Sequence, residues 1–145
     1  MKAKNCLIFG GTGQIGRNLI RKLAQNNYKV TVITRNAHTK GNFIKTQANA
    51  GYIDIVEINP FDEKEIKPFF AKADVCINLI GILYEKGKKN TFSNIHSYFP
   101  RMLAQLCHQN KIHQLIHVSA LGIEKALDSQ YAISKLSGEK NVLRY

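Results

Sequence analysis

The 145-residue sequence has no tryptophan, only three prolines and three cysteines, and no aspartate or glutamate before Asp54. It also lacks a long apolar run. The longest, Val75 to Tyr84, is interrupted by Asn78 and Gly81 and is too short to span a bilayer. Cys6, Cys76 and Cys107 are odd in number and lie in apolar segments without the close pairing of a zinc site, which excludes a disulfide framework and predicts buried thiols in a reducing compartment. Met1 to Asn5 is followed after four residues by glycines, which leaves no room for the apolar stretch of a secretory signal. A cytoplasmic chain is expected, with the inner face of a membrane as its peripheral alternative. His38, His96, His108, His113 and His117 show no metal-ligand spacing and read as surface or packing residues. Repeats, low-complexity tracts and linkers are missing too, so residues 1–145 are expected to form one domain.

What is present in excess is positive charge, at +11 overall. Residues 1–50 hold nine Lys or Arg and no acid, residues 51–80 hold six acids against three bases, and residues 81–145 hold nine bases against four acids. A field of that sign draws anions: a phosphorylated cofactor, an acidic lipid surface or RNA.

The pattern alternates strand and helix. Cys6-Leu7-Ile8-Phe9 is a strand-length apolar run ending in glycines, and Gln14 to Gln25 places Ile15, Leu19, Ile20 and Leu23 at helical spacing. Asn26-Asn27 stops that helix, and Val30 to Thr34 is rich in β-branched residues. Residues 36–52 read as a loop with a short helix, Ile53 to Ile58 as a third strand, and Asp62 as the cap of a short helix through Phe70. Val75 to Ile80 is a fourth strand, Thr91 to Asn110 a helix bent by Pro100, and Gln114 to Ser119 a fifth strand. A last helix follows a cap at Asp128 or Ser129. Near-continuous apolar strands alternating with helices predict an α/β fold of Rossmann type: a doubly wound parallel sheet of about five strands.

Gly10-Gly11-Thr12-Gly13-Gln14-Ile15-Gly16 sits between the first strand and the first helix, the context in which such a motif binds a dinucleotide. Gly10 permits the turn, Gly13 lets the backbone approach a pyrophosphate, Gly16 lets the helix pack closely, and helix amides face the phosphates. At the end of the second strand, where NAD-binding proteins usually offer a carboxylate to the ribose, this chain has Thr34-Arg35. A hydroxyl and a guanidinium there suit a 2′-phosphate, so NADP(H) is expected to be preferred, with NAD(H) also accepted. Near the end, Ser119 closes the fifth strand, and Tyr131 and Lys135 share one helix face at i, i+4. An ammonium beside a phenol favours proton transfer by the tyrosine, and Ser119 can hold a substrate oxygen.

Together these residues resemble the extended and atypical short-chain dehydrogenase/reductases along the whole chain. Asn59-Pro60-Phe61-Asp62, Asn94-Ile95-His96, Ser119 and Tyr131 to Lys135 fall in family order. Ile77 to Glu85, Thr91-Phe92 with His96, Pro100-Arg101 to Leu106, and His117 to Gly122 look like the bacterial relatives of the NADPH-binding accessory subunit of respiratory complex I, an NADH-ubiquinone oxidoreductase. The resemblance implies that Asn59, Pro60, Leu79, Ile80 and Gly81 line the cofactor together with Tyr131 and Lys135, and that Asn94 occupies the place of a catalytic-site asparagine. It also implies a C-terminal substrate half that this sequence lacks, so the chain is expected to be truncated relative to the family, and either to self-associate or to recruit a complementing polypeptide.

Three readings follow. The first is an NADP(H)-binding protein of the complex I accessory type with a structural or regulatory cofactor, associated peripherally with a respiratory membrane complex. The second is an NADP-dependent reductase, or a nucleotide-sugar epimerase or dehydratase, using Ser119, Tyr131 and Lys135. The third is a basic RNA- or membrane-surface-binding protein, with nucleic acid the least favoured partner.

Overall fold

The computed structural model describes residues 2–145. Five strands, β1 (Lys4–Phe9), β2 (Tyr28–Thr34), β3 (Ile53–Glu57), β4 (Val75–Asn78) and β5 (Gln114–His117), form one sheet in the order β3-β2-β1-β4-β5. Every pairing is parallel. The chain winds outward from β1 to β3, then crosses back to place β4 on the other side of β1, so the order reverses between β1 and β4. A crevice opens at such a switch point, outside the carboxyl ends of the strands. Register brings the relevant ends level: Phe9 pairs with Ile33 on one side and Asn78 on the other, and Asn78 pairs with His117.

Alternation along the strands builds two cores. Leu7, Phe9, Ile33 and Cys76 face α3 (Glu63–Phe70) and α4 (Phe99–Gln109), where Ile66, Phe70, Phe99 and Leu103 pack against them. Ile8, Val32 and Ile77 point to the opposite face and meet Ile20 of α1 (Gln14–Gln25) and Ile44 of α2 (Ala37–Lys45). This two-sided burial is what lets a parallel sheet be apolar throughout. β5 is an edge strand whose Ile116 stays 41% exposed.

Two of the helices begin at a short polar side chain that caps them. Asp62 accepts hydrogen bonds from the backbone N–H groups of Lys64 and Glu65 (3.0 and 3.4 Å), and Ser129 accepts from Ala132 N–H (3.3 Å) at the start of α5 (Gln130–Val142). The expected helix over Thr91 to Asn110 is two structures. Residues Ser93–Tyr98 form a π-turn, and α4 starts only at Phe99, with Pro100 in its first turn. Pro100 has no N–H to give the carbonyl four residues back, and the chain uses a wider bond there, Phe99 N–H to Asn94 O. The disruption therefore precedes the proline instead of bending a continuous helix at it. The third, fourth and fifth strands end at Glu57, Asn78 and His117, earlier than Ile58, Ile80 and Ser119; after the fourth, Leu79 and Ile80 leave the sheet to line the crevice. Residues 36–52, expected as a loop with a short helix, contain the nine-residue α2.

Candidate dinucleotide site

The crevice at the switch point is a groove of about 260 Å³ lined by Gly10, Thr12, Gly13, Ile33, Thr34, Arg35, Asn36, Lys40, Pro60, Leu79, Ile80 and Gly81. Its floor is backbone. Gly10 turns the chain out of β1 with φ of +79°, a left-handed conformation that L side chains rarely adopt, and a Cβ there would lie 2.9 Å from the Leu79 carbonyl carbon. Gly16 packs against Gly11 so closely that an added Cβ would sit 2.5 Å from the Gly11 Cα. Gly13 is different: its φ of −77° is ordinary and the nearest atom to an added Cβ is Gly10 O at 3.4 Å. What a side chain at Gly13 would occupy is space outside the protein framework. Gly13 is also the N-cap of α1 and provides no side-chain cap, so the first-turn amides of a 12-residue helix are free to face an anion. No acid stands in that first turn. A pyrophosphate fits this cradle, which combines a positive helix end, open amides and a surface without Cβ atoms.

Beyond β2, Thr34 is nearly buried and Arg35 exposed. The Arg35 guanidinium reaches across the groove, donating to Asn90 Oδ1 (3.3 Å) with its Cζ 5.7 Å from the centre of the Phe61 ring. Asn36 and Lys40 line the same end. A carboxylate does come near, from a part of the sequence far from Thr34: Glu57, paired with Thr34 across the sheet, accepts from the N–H groups of Ala37 and His38 (2.7 and 3.3 Å) and caps α2. Its charge is committed to a helix N-terminus.

Ser119, Tyr131 and Lys135 are not among the residues lining the groove, but four elements converge behind its Gly81 end, where a Cβ on Gly81 would stand 3.9 Å from Lys135 Nζ. Lys135, 4% exposed, donates from Nζ to the Val118 carbonyl (2.9 Å), and burial lowers its pKa. Tyr131, one turn earlier on α5, stands edge-on to the rings of His96 and Phe92. Ser119 Oγ and His117 Nε2 are both buried without a hydrogen-bond partner among the described residues. Asn78 bridges β4 to β5: its Oδ1 accepts from Ile80 N–H (3.1 Å) and its Nδ2 donates to His117 Nδ1 (3.1 Å). Burial, and then the Lys135 charge, bring the pKa of His117 down to about 4.

The structure brings Gly10, Thr12, Gly13, Thr34, Arg35, Pro60, Leu79, Ile80 and Gly81 to one groove, with Gly11 and Gly16 packed behind it. Gln14 and Ile15 open α1, and Ile15 is exposed. Asn59 and Asn94 line a separate recess of about 970 Å³ beside Phe61 and Tyr98. Asn94 Nδ2 is engaged there, donating to the Lys89 carbonyl (3.1 Å). Sequence reasoning missed Lys40, Asn36, Asn78 and above all His96, which it assigned with four other histidines to surface or packing. His96 is packed, at 1% exposure, but both its ring nitrogens are hydrogen-bonded within this end of the site. The one available signal was its spacing from Phe92, four residues earlier, against whose ring it stacks. The three cysteines are free and buried as expected, and burial pushes the Cys6 thiol up to about 12, away from thiolate chemistry.

A parallel sheet with a glycine cradle at its switch point and a Tyr-Lys pair beside the same crevice defines a Rossmann-type dinucleotide-binding domain. The chain belongs to the NAD dependent epimerase/dehydratase family, which it matches over residues 6–145. It is 32% identical over 137 residues to NADH dehydrogenase (ubiquinone) 1 alpha subcomplex subunit 9 of Arabidopsis thaliana mitochondria, a match covering 94% of this chain and 34% of that protein. Over 135 residues it is 26% identical to the mitochondrial NADH-ubiquinone oxidoreductase 40 kDa subunit of Neurospora crassa, covering 93% of this chain and 36% of that one. The chain thus spans about a third of the length of these curated relatives. Among solved structures, the UDP-glucuronic acid 4-epimerase of Bacillus cereus in complex with NAD superposes with a TM-score of 0.78 at 20% identity, over 97% of this chain and 52% of the epimerase. The UDP-Glc/GlcNAc 4-epimerase of Campylobacter jejuni gives 0.77 at 19%, over 98% and 48%. These likenesses establish the fold. No helix among the described residues is long and apolar enough to cross a membrane.

Proposed function

We propose that this chain binds NADP(H) as a structural or regulatory ligand, in the manner of an accessory module of the respiratory NADH-ubiquinone oxidoreductase. The uncapped, acid-free α1 N-terminus behind Gly13 carries this reading. Three further features support it: the cations Arg35 and Lys40 at the ribose end of the groove, the absence of a free carboxylate there, and relatives named as subunits of that complex. When bound, the dinucleotide would supply hydride chemistry; what this chain's residues do is bind and orient it. The first-turn amides of α1 take the pyrophosphate, and Arg35 leaves Asn90 to pair with the 2′-phosphate. Gly81 and Lys135 flank the nicotinamide ribose. Peripheral attachment at the inner face of a membrane follows from the same reading, and the exposed edge of β5 is where a second copy or a complementing polypeptide would add strands.

Titration calorimetry of NADPH and NADH into the wild-type chain and Arg35→Ala tests it. The wild type is expected to prefer NADPH, and the substitution to erase that preference by about ten- to a hundredfold, the weight of one charge-assisted contact. A wild type that prefers NADH overturns the NADP(H) assignment.

A second reading is favoured by one observation, the buried and unpartnered hydroxyl of Ser119, the residue after the Val118 whose carbonyl Lys135 holds. On that reading the chain is a reductase or a nucleotide-sugar epimerase or dehydratase. NADPH oxidation with carbonyl and sugar-nucleotide substrates at or above about 10⁴ M⁻¹s⁻¹ would establish it.

A further inference from the structure

His96 sits on the π-turn between the groove and α5, and its hydrogen bonds determine its own chemical form. Nε2 lies 3.0 Å from the backbone nitrogen of Ile82, which can only donate, so Nε2 accepts. Nδ1 lies 2.9 Å from Ser134 Oγ, whose proton is already directed to the Tyr131 carbonyl (2.7 Å), so Nδ1 donates. Both contacts demand the same neutral tautomer. Burial, reinforced by the charge of Lys135, brings the pKa of His96 down to about 4 and keeps the accepting lone pair available at neutral pH. The ring is held flat against Phe92, with centroids 5.4 Å apart and planes 18° apart, and edge-on to Tyr131 at 5.3 Å.

These contacts join two parts of the site that the sequence leaves separate. Ile82 follows Gly81, a lining residue of the groove, and a Cβ on Gly81 would stand 3.7 Å from His96 Nε2 and 3.9 Å from Lys135 Nζ. Ser134 lies between Tyr131 and Lys135 on α5. The hydrogen bonds and ring contacts of the imidazole go to Ile82, Ser134, Phe92 and Tyr131, and none of these belongs to the other end of the groove, with Thr34, Arg35 and Lys40. A dinucleotide whose pyrophosphate crosses the glycine cradle places its two ribose halves at these two ends.

We propose that His96 is a positioning residue for the nicotinamide half of the dinucleotide: by bonding Ile82 and Ser134 at once it fixes the Gly81 backbone relative to Tyr131 and Lys135, and it has no part in holding the adenosine half. This rests on the dinucleotide reading above and extends it to a residue and to one half of the ligand.

The experiment compares NADPH with 2′,5′-ADP, a probe of the adenosine half alone, on the full chain. His96→Leu is expected to weaken NADPH binding about tenfold while leaving 2′,5′-ADP within about twofold, since one buried hydrogen-bonded strut is lost at one end only. His96→Gln can present a carboxamide oxygen near the position of Nε2, and is expected to recover most of the NADPH affinity. Ser134→Ala, which removes the Nδ1 partner without emptying the core, should weaken NADPH by about threefold and spare 2′,5′-ADP, and it carries the test should His96→Leu fail to fold. A merely structural role would lower both affinities together. Equal losses for both ligands, or no loss of NADPH affinity in any variant, overturn the proposal. A wild-type chain that binds neither nucleotide overturns the dinucleotide reading itself.

Discussion

The two ends of the groove are built on different physics. The phosphate end, β1–α1–β2, is backbone and vacancy: a left-handed glycine, a helix end without a cap and a glycine contact too close for a Cβ, all inside residues 4–34. The far end is made of side chains from β4, the π-turn, β5 and α5, joined by hydrogen bonds spanning 38 or 39 positions in the chain, as between His96 and Ser134 or Asn78 and His117. The first end is insensitive to tautomers and charges within the protein and vulnerable to a single added carbon. The second is sensitive to protonation, because both ring nitrogens of His96 are committed to hydrogen bonds and Lys135 places a positive charge beside His96 and His117.

The comparison can be broken most severely at the cradle. Gly13→Val is expected to abolish dinucleotide binding, by more than about a hundredfold, while circular dichroism and melting temperature stay near wild type, because the branched side chain fills ligand space and not core. Retained binding would sink the cradle; loss of fold would mean that Gly13 belongs to the framework as Gly16 does.

A second break falls on the side-chain end. Gly138 of α5 lies directly against the His96 carbonyl, and an alanine Cβ would overlap that oxygen. Gly138→Ala is therefore expected to force α5 from the π-turn and cost about 2 kcal/mol or more by chemical denaturation, with NADPH affinity falling more than that for 2′,5′-ADP. A variant as stable as wild type would show that the crossing is looser than described.

The smallest effect sharpens the contrast by pH. His96 and His117 are held near a pKa of about 4 in the folded chain, against 6.5 for an unperturbed imidazole, so between these values the unfolded state binds more protons. Their contribution is complete above pH 6.5 and is lost as pH falls toward 4. The groups acting on them are Lys135, which opposes protonation of both rings, His117, which opposes it at His96, and Glu139, which favours it at His117. Thermal melts from pH 7.5 to 4.5 should show the melting temperature falling below pH 6.5, with a shallower slope in His96→Gln. A slope unchanged by that substitution would remove His96 from the acid response.

The cradle was legible because its determinants are local. Strand, G-x-x-G-x-x-G and helix follow one another within 22 residues, Gln14–Gln25 is the helix that its spacing predicted, and Asp62 caps where its place before Phe70 suggested. The i, i+4 spacing of Tyr131 and Lys135 on one helix was legible, and the structure places both on α5, with Lys135 Nζ bonded to the Val118 carbonyl next to Ser119. Less was visible after residue 78. A π-turn before Pro100 has no composition of its own, and nothing in Asn94-Ile95-His96 distinguishes an ordinary core histidine from one bonded at both nitrogens.

The sequence by itself determined the parallel α/β sheet, the glycine cradle and the excess of cations around it, because periodicity, backbone freedom and charge act over a few residues. Only the tertiary structure decided where Glu57 goes, that Arg35 rests on Asn90, and that His96 ties Ile82 to Ser134. Those outcomes depend on the strand order β3-β2-β1-β4-β5, which brings together side chains remote in sequence, and a hydrogen bond exists only where two such groups arrive within about 3 Å of each other.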